Sequence, residues 1–192
     1  MANDTIDDAG NNRATVVLET DRLILRQWTP DDAEAAFAIF GDPEVSRYLG
    51  ATGEPHPDVA YTRQRMERLA DRYAAWNGRG NWAAVEKASG EIVGGGGLVE
   101  LEGGPDLEVF YHFRRDRWGM GYGTELTKGL IRYAFERLGL SRLVGIAYPA
   151  NVASHRVMRK AGMTHQGRRH VYDHDMEYFT VERPAAGEEL SQ

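Results

Sequence analysis

Alternating and helical patterns of hydrophobic positions divide the first part of the chain into a strand and two helices. Residues 22–28 (RLILRQW) alternate between apolar and polar side chains, which predicts a β-strand. Residues 29–40 then form a helix, with Thr29 as its capping residue and Pro30 in its first turn. A second helix is predicted for residues 58–76, where apolar residues recur every three or four positions.

The middle of the chain reads as a β-hairpin followed by a further strand. Residues 82–86 and 91–101 are the two strands of the hairpin, and residues 88–90 are its turn. The four glycines 94–97 lie inside the second strand. They indicate a bulge, a backbone that another group approaches closely, or simply an irregular strand. Residues 107–113 form the next strand.

The last part of the chain alternates helices and strands before it ends in a second hairpin. A stripe of leucine, isoleucine and phenylalanine predicts a helix over about residues 123–138. A strand at 142–148 and a helix at 151–162 follow, and the hairpin comprises strands at about 164–172 and 175–182.

This order of elements predicts the fold class. It favours one mixed α+β domain over residues 16–183, rather than a regular alternation of parallel units. We expect a central, mostly antiparallel sheet of about seven strands, flanked by about four helices. The polar segments 1–15 and 184–192 are expected to be flexible tails.

Composition narrows the classes of function. The net charge is -6, part of which lies in the polar termini, so the near-neutral body argues against nucleic acid as a partner. The chain has no cysteine, which excludes disulfides and thiol nucleophiles, and its six histidines show no metal-ligand spacing, so no metal is expected. Without a long apolar segment or a signal peptide, we expect no membrane partner and a cytoplasmic location.

The glycine-rich segment 116–130 (DRWGMGYGTELTKGL) is the strongest chemical signal. A P-loop requires Lys after its last glycine, but Gly123 is followed by Thr124. The spacing G-x-G-x-G also differs from the dinucleotide fingerprint G-x-G-x-x-G. The backbone N–H groups of a glycine loop that opens a helix can bind a pyrophosphate without side-chain charge. A tight turn without a ligand is the alternative.

Three segments together resemble the GNAT N-acetyltransferase superfamily, and most closely its RimJ/RimL-like branch. The opening LETDRLILRQWTPDDAEAAFAIFGDPEVSRYLG is similar to the N-terminal signature of that branch. FYHFRRDRWGMGYGTEL is similar to the acyl-CoA motif, with Trp118 in place of the usual Gln or Arg, and YPANVASHRVMRKAGM is similar to the downstream segment. The resemblance covers about residues 18–182.

The resemblance implies acetyl-CoA as the cosubstrate and places its binding site. The strands at 107–113 and 142–148 would splay apart, and the pantetheine arm would lie between them and pair with the backbone. Asn151 would hydrogen-bond the arm. The implied cofactor-binding residues are Tyr111, His112, Phe113, Trp118, Gly119, Met120, Gly121, Tyr122, Gly123, Thr124, Asn151 and Ser154.

Candidate catalytic residues come from the same strand and from the last helix. Glu108 occupies the place where some GNAT members carry a catalytic glutamate, and strand alternation puts His112 on the same face as a second candidate base. Many members use a helix tyrosine to protonate the leaving thiolate, but Met158 stands at that position. The branch has a serine instead, matched by Ser154, which would otherwise cap the helix.

The sequence gives the least information about the acceptor. Candidate residues for its pocket are Tyr48, Trp82, Glu108 and Tyr172, and nearby acidic residues could attract a cationic amine. The leading hypothesis is an acetyl-CoA-dependent N-acetyltransferase that acts on a primary amine of a small molecule, a peptide or a protein N-terminus, with a homodimer as a candidate assembly. The alternatives are an acyl-CoA-binding sensor without turnover and a nucleotide-binding protein.

Overall fold

The N-terminal part of the fold is a pair of antiparallel strands. The structure, a computed structural model, describes residues 14–50 and 52–184. Strand β1 (Val16–Glu19) pairs with β2 (Leu23–Gln27). The sequence did not predict β1, because none of its four residues is fully buried and no alternation marks it. The predicted tails 1–15 and 184–192 lie almost entirely outside the described residues, so the domain boundaries stay predictions.

Three α-helices follow and pack together on one face of the sheet. They are α1 (Ala33–Phe40), α2 (Pro43–Ser46) and α3 (Val59–Ala70). The predicted helix 58–76 ends early, and a separate 3-10 helix spans Tyr73–Trp76. The Tyr73 hydroxyl accepts the backbone N–H of Trp28 and donates to the carbonyl of Asn81, which ties this short segment to the sheet.

The predicted hairpin is present as β3 (Gly80–Glu86) and β4 (Ile92–Glu100), and β5 (Leu107–Phe113) pairs with β4 on its other side. The four glycines of β4 allow the neighbouring strands to approach closely. A Cβ atom on Gly97 would lie 1.7 Å from the carbonyl oxygen of Gly80. The register also shifts between Ala84 and Val85 of β3, so the glycines accompany both a close approach and an irregularity.

The C-terminal half completes the sheet. Its elements are α4 (Tyr122–Glu136), β6 (Arg142–Ala147), α5 (Val152–Lys160), β7 (Thr164–Val171) and β8 (His174–Glu182). The strand order is β1-β2-β3-β4-β5-β6-β8-β7, and every pair is antiparallel except β5 with β6. The predicted class is confirmed, with eight strands rather than seven and five α-helices rather than four among the described residues.

The sheet opens between its two parallel strands. β4 and β5 are paired over seven positions, whereas β5 and β6 are paired at a single position, Glu108 with Val144. Beyond this point the two strands no longer share a ladder of hydrogen bonds, so the sheet splits as expected. The split leaves backbone N–H and C=O groups that need other partners.

The core lies on both faces of the sheet. On one face, α4 and α5 cover the largest cluster, which includes Val109, Phe113 and Leu126. On the other face, α1 to α3 cover a second cluster around Trp28 and Ile39. A third cluster lies beside the split and comprises Leu101, Val144, Val171 and Met176. No helix among residues 14–50 and 52–184 is long and apolar enough to cross a membrane.

Candidate active site

The glycine loop links β5 to α4 through two left-handed residues. After β5, a 3-10 helix (Arg115–Arg117) leads to Gly119 with φ 78° and Gly121 with φ 85°, and α4 begins at Tyr122. Only glycine adopts this conformation readily. The first N–H groups of a helix have no partner within the helix, and the helix dipole makes this end positive. The loop therefore has the chemistry of an anion site.

A network that sequence reasoning missed fixes this loop. Glu125, in the first turn of α4, accepts hydrogen bonds from the Thr20 hydroxyl (2.6 Å) and from Nε of Arg22 (2.7 Å). The Arg22 guanidinium also donates to the carbonyl of Met120 and lies 4.4 Å from the ring centroid of Tyr122. Because these contacts connect the loop to the turn between β1 and β2, the protein itself holds the loop in shape.

The side chains of the loop divide into exposed and buried groups. Trp118 is 50% exposed, and its indole N–H donates to the carbonyl of Phe113 at 2.8 Å. Met120 is 48% exposed. Tyr122 instead points into the protein, where its hydroxyl donates to Glu86. Of the predicted cofactor-binding residues in the loop, Tyr122 can therefore contribute its backbone but not its side chain.

A pair of hydroxyl groups connects β5 to α5. The Tyr111 hydroxyl lies 2.7 Å from the hydroxyl of Ser154. Asn151 is the N-cap of α5, and its side-chain oxygen accepts the backbone N–H of Ser154 at 3.2 Å. The idea that Ser154 itself caps the helix is therefore wrong, because Asn151 performs that function. The Ser154 hydroxyl is left for its contact with Tyr111 beside the split.

Met158 and Trp82 are core residues. Met158 is 1% exposed and packs beside Gly145, so it cannot reach a ligand. Trp82 is 2% exposed and packs edge-on against Tyr133 of α4, with 5.8 Å between ring centroids. The prediction that Trp82 lines the acceptor pocket is wrong, because its side chain is sealed between the sheet and α4.

Glu108 is a buried carboxyl group at the base of the split. Glu108 is 8% exposed, and it pairs with Val144 at the one position where β5 and β6 are paired. The Tyr172 hydroxyl donates to Oε2 of Glu108 at 3.1 Å. Burial raises the pKa of Glu108 to about 7, and the hydrogen bond from Tyr172 limits this increase. A carboxyl group with such a pKa can exchange a proton near neutral pH.

His112 lies on the same face of β5 as Glu108 but has an apolar environment. It is 6% exposed, and its ring lies 4.7 Å from the ring of Phe40 and 6.3 Å from that of Phe110. Its Nε2 has no hydrogen-bond partner among the described residues. Burial lowers the pKa of His112 to about 3. The burial of the ring and its lowered pKa make His112 a weaker candidate for the base than Glu108.

Aromatic residues line the open face beside the split. The ring of Tyr48 lies 5.8 Å from that of Tyr148, and the ring of Tyr148 lies 5.2 Å from that of His174. Tyr148 and Tyr172 both pack against the cluster that contains Val144. Sequence reasoning selected Tyr48 and Tyr172 but missed Tyr148 and His174. The position of Tyr148 directly after β6, at the open end of the split, was the available signal.

Most of the acidic residues near Glu108 already have partners. Glu100 forms an ion pair with Arg79 at 2.5 Å, and Asp106 forms one with Arg142 at 2.6 Å. Glu102 accepts the backbone N–H of Tyr172. These contacts compensate much of the negative charge that the sequence places here, so the acidic cluster is in large part structural.

The chain is similar in sequence to known proteins. The family model for an acetyltransferase (GNAT) domain matches residues 22–164. YoaA of Bacillus subtilis (strain 168), an uncharacterized N-acetyltransferase, is 33% identical over 167 residues, which cover 85% of this chain and 93% of YoaA. The FsC-acetyl coenzyme A-N(2)-transacetylase of Aspergillus fumigatus is 31% identical over 172 residues, which cover 80% of this chain and 67% of that protein.

The fold is also similar to solved structures. The crystal structure of an acetyltransferase from Agrobacterium tumefaciens str. C58 aligns with a TM-score of 0.73 and 23% identity, covering 92% of this chain and 100% of that chain.

Proposed function

The chain belongs to the GNAT acetyltransferase family, and from this premise we propose that it transfers an acetyl group from acetyl-CoA to a primary amine, with Glu108 as the general base. The single observation that carries the proposal is the position of Glu108. It is a buried carboxyl group, it lies where β5 and β6 diverge, and burial raises its pKa to about 7.

The residues present fit the pyrophosphate of acetyl-CoA. Gly119 and Gly121 have left-handed backbones, and a Cβ atom on Gly119 would meet no other group within 4 Å. The space beside the loop is therefore open to a ligand, and the first N–H groups of α4 face this end of the helix. The relative from Aspergillus fumigatus, which carries acetyl coenzyme A in its name, supports the same cosubstrate.

The reaction requires that the amine lose a proton and attack the thioester. A protonated primary amine gives one proton to the Glu108 carboxylate, directly or through a water molecule. The nitrogen lone pair then forms the C–N bond at the thioester carbonyl carbon, and the C–S bond breaks. The electron pair of the C–S bond stays on sulfur, and the second proton lost by nitrogen is transferred to that sulfur. The products are an amide, a thiol and a protonated Glu108.

The hydroxyl pair of Ser154 and Tyr111 is the candidate group on the thiol side. The two hydroxyls are 2.7 Å apart, between β5 and the first turn of α5. One of them can donate a hydrogen bond to the departing sulfur while the other holds it in position. Since Met158 is buried in the core, it has no part in this step.

The acceptor that fits this site is a small molecule with a primary amine. Tyr48, Tyr148 and His174 form a chain of ring contacts, and Tyr148 packs against the cluster that contains Val144, the residue paired with Glu108. Aromatic faces attract ammonium groups. The related transacetylase from Aspergillus fumigatus carries FsC and N(2) in its name. A small molecule with a primary amine is the acceptor class that we propose to test first.

The experiment measures release of CoA thiol from acetyl-CoA across a panel of primary amines, including a polyamine, an aminoglycoside and amino-acid amides. We expect at least one amine to be acetylated. Binding of acetyl-CoA without turnover on any amine would favour the sensor alternative. Stabilisation by ATP or NAD but not by acetyl-CoA would contradict the proposal.

A matched pair of glycine variants tests the loop. Gly121 precedes α4 with φ 85°, and Gly139 follows α4 with φ 71°. Valine at either position imposes the same unfavourable left-handed backbone, about 1–2 kcal/mol. We expect Gly121→Val to raise the KM for acetyl-CoA at least about tenfold. Gly139→Val, where a Cβ atom would meet nothing within 4 Å, should leave that KM unchanged.

A further inference from the structure

The turn between β7 and β8 holds Tyr172 in an unusual backbone conformation. Val171 pairs with His174, so Tyr172 and Asp173 form a two-residue turn, with φ 52° and 60°. Two positive φ angles define a type I′ turn, in which Asn, Asp and Gly are preferred. A bulky aromatic residue in this conformation costs free energy and persists only where surrounding contacts hold it.

Both ends of Tyr172 are held by carboxylates. Its backbone N–H donates to Glu102, in the loop between β4 and β5. Its hydroxyl donates to Oε2 of Glu108 at 3.1 Å, and also lies 3.4 Å from the carbonyl oxygen of Glu100. The ring packs against the cluster that contains Leu101 and Val144. The strained turn therefore places the Tyr172 hydroxyl within hydrogen-bond distance of the buried Glu108 carboxyl group.

We propose that Tyr172 is a positioning residue for Glu108, and that its left-handed turn places the hydroxyl where it fixes the carboxylate at the base of the split. The contact engages Oε2 of Glu108 and leaves the other carboxylate oxygen for the proton of the acceptor. This inference rests on the proposed function of Glu108 as the base. It adds that the base is oriented from another hairpin, 64 residues away along the chain.

Tyr172 is the titratable residue that contacts Glu108. Burial raises the pKa of Glu108, and the hydrogen bond from Tyr172 lowers it. The other titratable or charged groups on the elements packed around Glu108 have different partners or none within reach of it. They are Glu100 with Arg79, Glu102 with the Tyr172 N–H, Asp106 with Arg142, Tyr178 with Asp106 and Arg169, His174 with the Tyr148 ring, and the buried His112.

The test replaces one hydroxyl at a time. Tyr172→Phe removes the hydroxyl that contacts Glu108. Tyr178→Phe is the matched control, because its hydroxyl contacts Asp106 and Arg169 instead. The pKa of Glu108 is read from the ¹³C NMR titration of labelled glutamate carboxyl carbons in the free protein, with Glu108→Gln to assign the signal. We expect Tyr172→Phe to raise this pKa by about one pH unit and Tyr178→Phe to leave it unchanged.

A kinetic measurement accompanies the titration. With an amine that the wild type acetylates, the acidic limb of kcat/KM should move to higher pH in Tyr172→Phe, while the KM for acetyl-CoA stays the same. A residue that only packs the turn would lower stability without moving this limb.

The outcomes separate the two proposals. An unchanged Glu108 titration in Tyr172→Phe would overturn the role of Tyr172, and so would an equal shift in Tyr178→Phe. The NMR titration requires no acceptor, so it is decisive even where no amine in the panel is acetylated. Failure of the whole panel would count against the proposed function alone.

Discussion

Glu108 and His112 are two titratable residues on the same face of one strand, and their pKa values are shifted in opposite directions. Both are less than a tenth exposed, at 8% and 6%. Burial raises the pKa of Glu108 to about 7 and lowers that of His112 to about 3, because burial opposes the charged form of each. The pKa of Glu108 moves toward neutrality, while that of His112 moves away from it.

The difference lies in what surrounds each side chain. Glu108 has the Tyr172 hydroxyl as a partner and lies where the sheet opens. His112 is packed between Phe40 and Phe110, and a Cβ atom on Gly95 would lie 2.8 Å from its Nε2. Strand alternation placed both residues on one face but could not separate them. Only the three-dimensional environment makes one a candidate base and the other a core residue.

The largest expected effect is on catalysis. Glu108→Gln keeps the shape of the side chain and removes its basicity, so kcat should fall by about 10²–10⁴-fold while the KM for acetyl-CoA stays similar. His112→Leu should leave kcat close to the wild-type value, because the ring does not exchange protons. Steady-state kinetics with one acetylated amine measure both. Equal losses of kcat in the two variants would contradict the distinction between Glu108 and His112.

The next effect is on stability as a function of pH. The folded pKa of Glu108, about 7, is above its ordinary value of 4.5, so its contribution is fully present below pH 4.5 and is lost as pH rises toward 7. The folded pKa of His112, about 3, is below its ordinary value of 6.5, so its contribution is present above pH 6.5 and is lost as pH falls toward 3. Between pH 4.5 and 6.5 the two slopes oppose each other.

When either group is removed, the free energy of unfolding should follow the pH dependence that the remaining group imposes. Relative to wild type, the free energy of unfolding of Glu108→Gln should rise with pH by about 1.4 kcal/mol per pH unit in this window. That of His112→Leu should instead rise as pH falls, by a similar amount. Urea unfolding at two pH values within the window measures both slopes. Parallel pH profiles for the two variants would show that the groups do not titrate as described.

The smallest expected effect concerns the aromatic environment of His112. Phe40→Leu removes a ring whose centroid lies 4.7 Å from that of His112. Water can then approach the imidazole more closely, so the pKa of His112 should rise toward its ordinary value, while the pKa of Glu108 should not move. NMR titration of the histidine rings, assigned with His112→Leu, measures the change. A response of Glu108 instead would mean that the two environments are connected.

Much of the fold follows from local patterns, and the exceptions have physical causes. The strands of the sheet that are buried on one or both faces show in the sequence as alternation or apolar runs. β1 does not, because all four of its residues remain exposed or half-buried at the edge of the sheet. The helix that ends at Ala70 was extended too far, since the apolar spacing continues to Tyr73 and Trp76 in a 3-10 helix.

The site was predictable where it depends on neighbouring residues and not where it depends on strand order. The glycine loop and the capping role beside Ser154 are local, although the cap proved to be Asn151. The contact between Tyr172 and Glu108 exists because β8 inserts between β6 and β7, which brings the turn over β5. A sequence pattern does not specify that order. The assignment of Trp82 to the acceptor pocket was wrong for a different reason, since alternation does not tell which face of the sheet α4 covers.

The pH dependence of acetyl transfer tests the assignment of Glu108 most directly. The measurement is kcat/KM for release of CoA thiol with one acetylated amine of known pKa, in the wild type and in His112→Leu. Ionisation of Glu108 predicts an acidic limb with a midpoint near pH 7 in both proteins, after correction for the amine. Loss of this limb in His112→Leu, or its absence from the wild type, would contradict the assignment of Glu108 as the base.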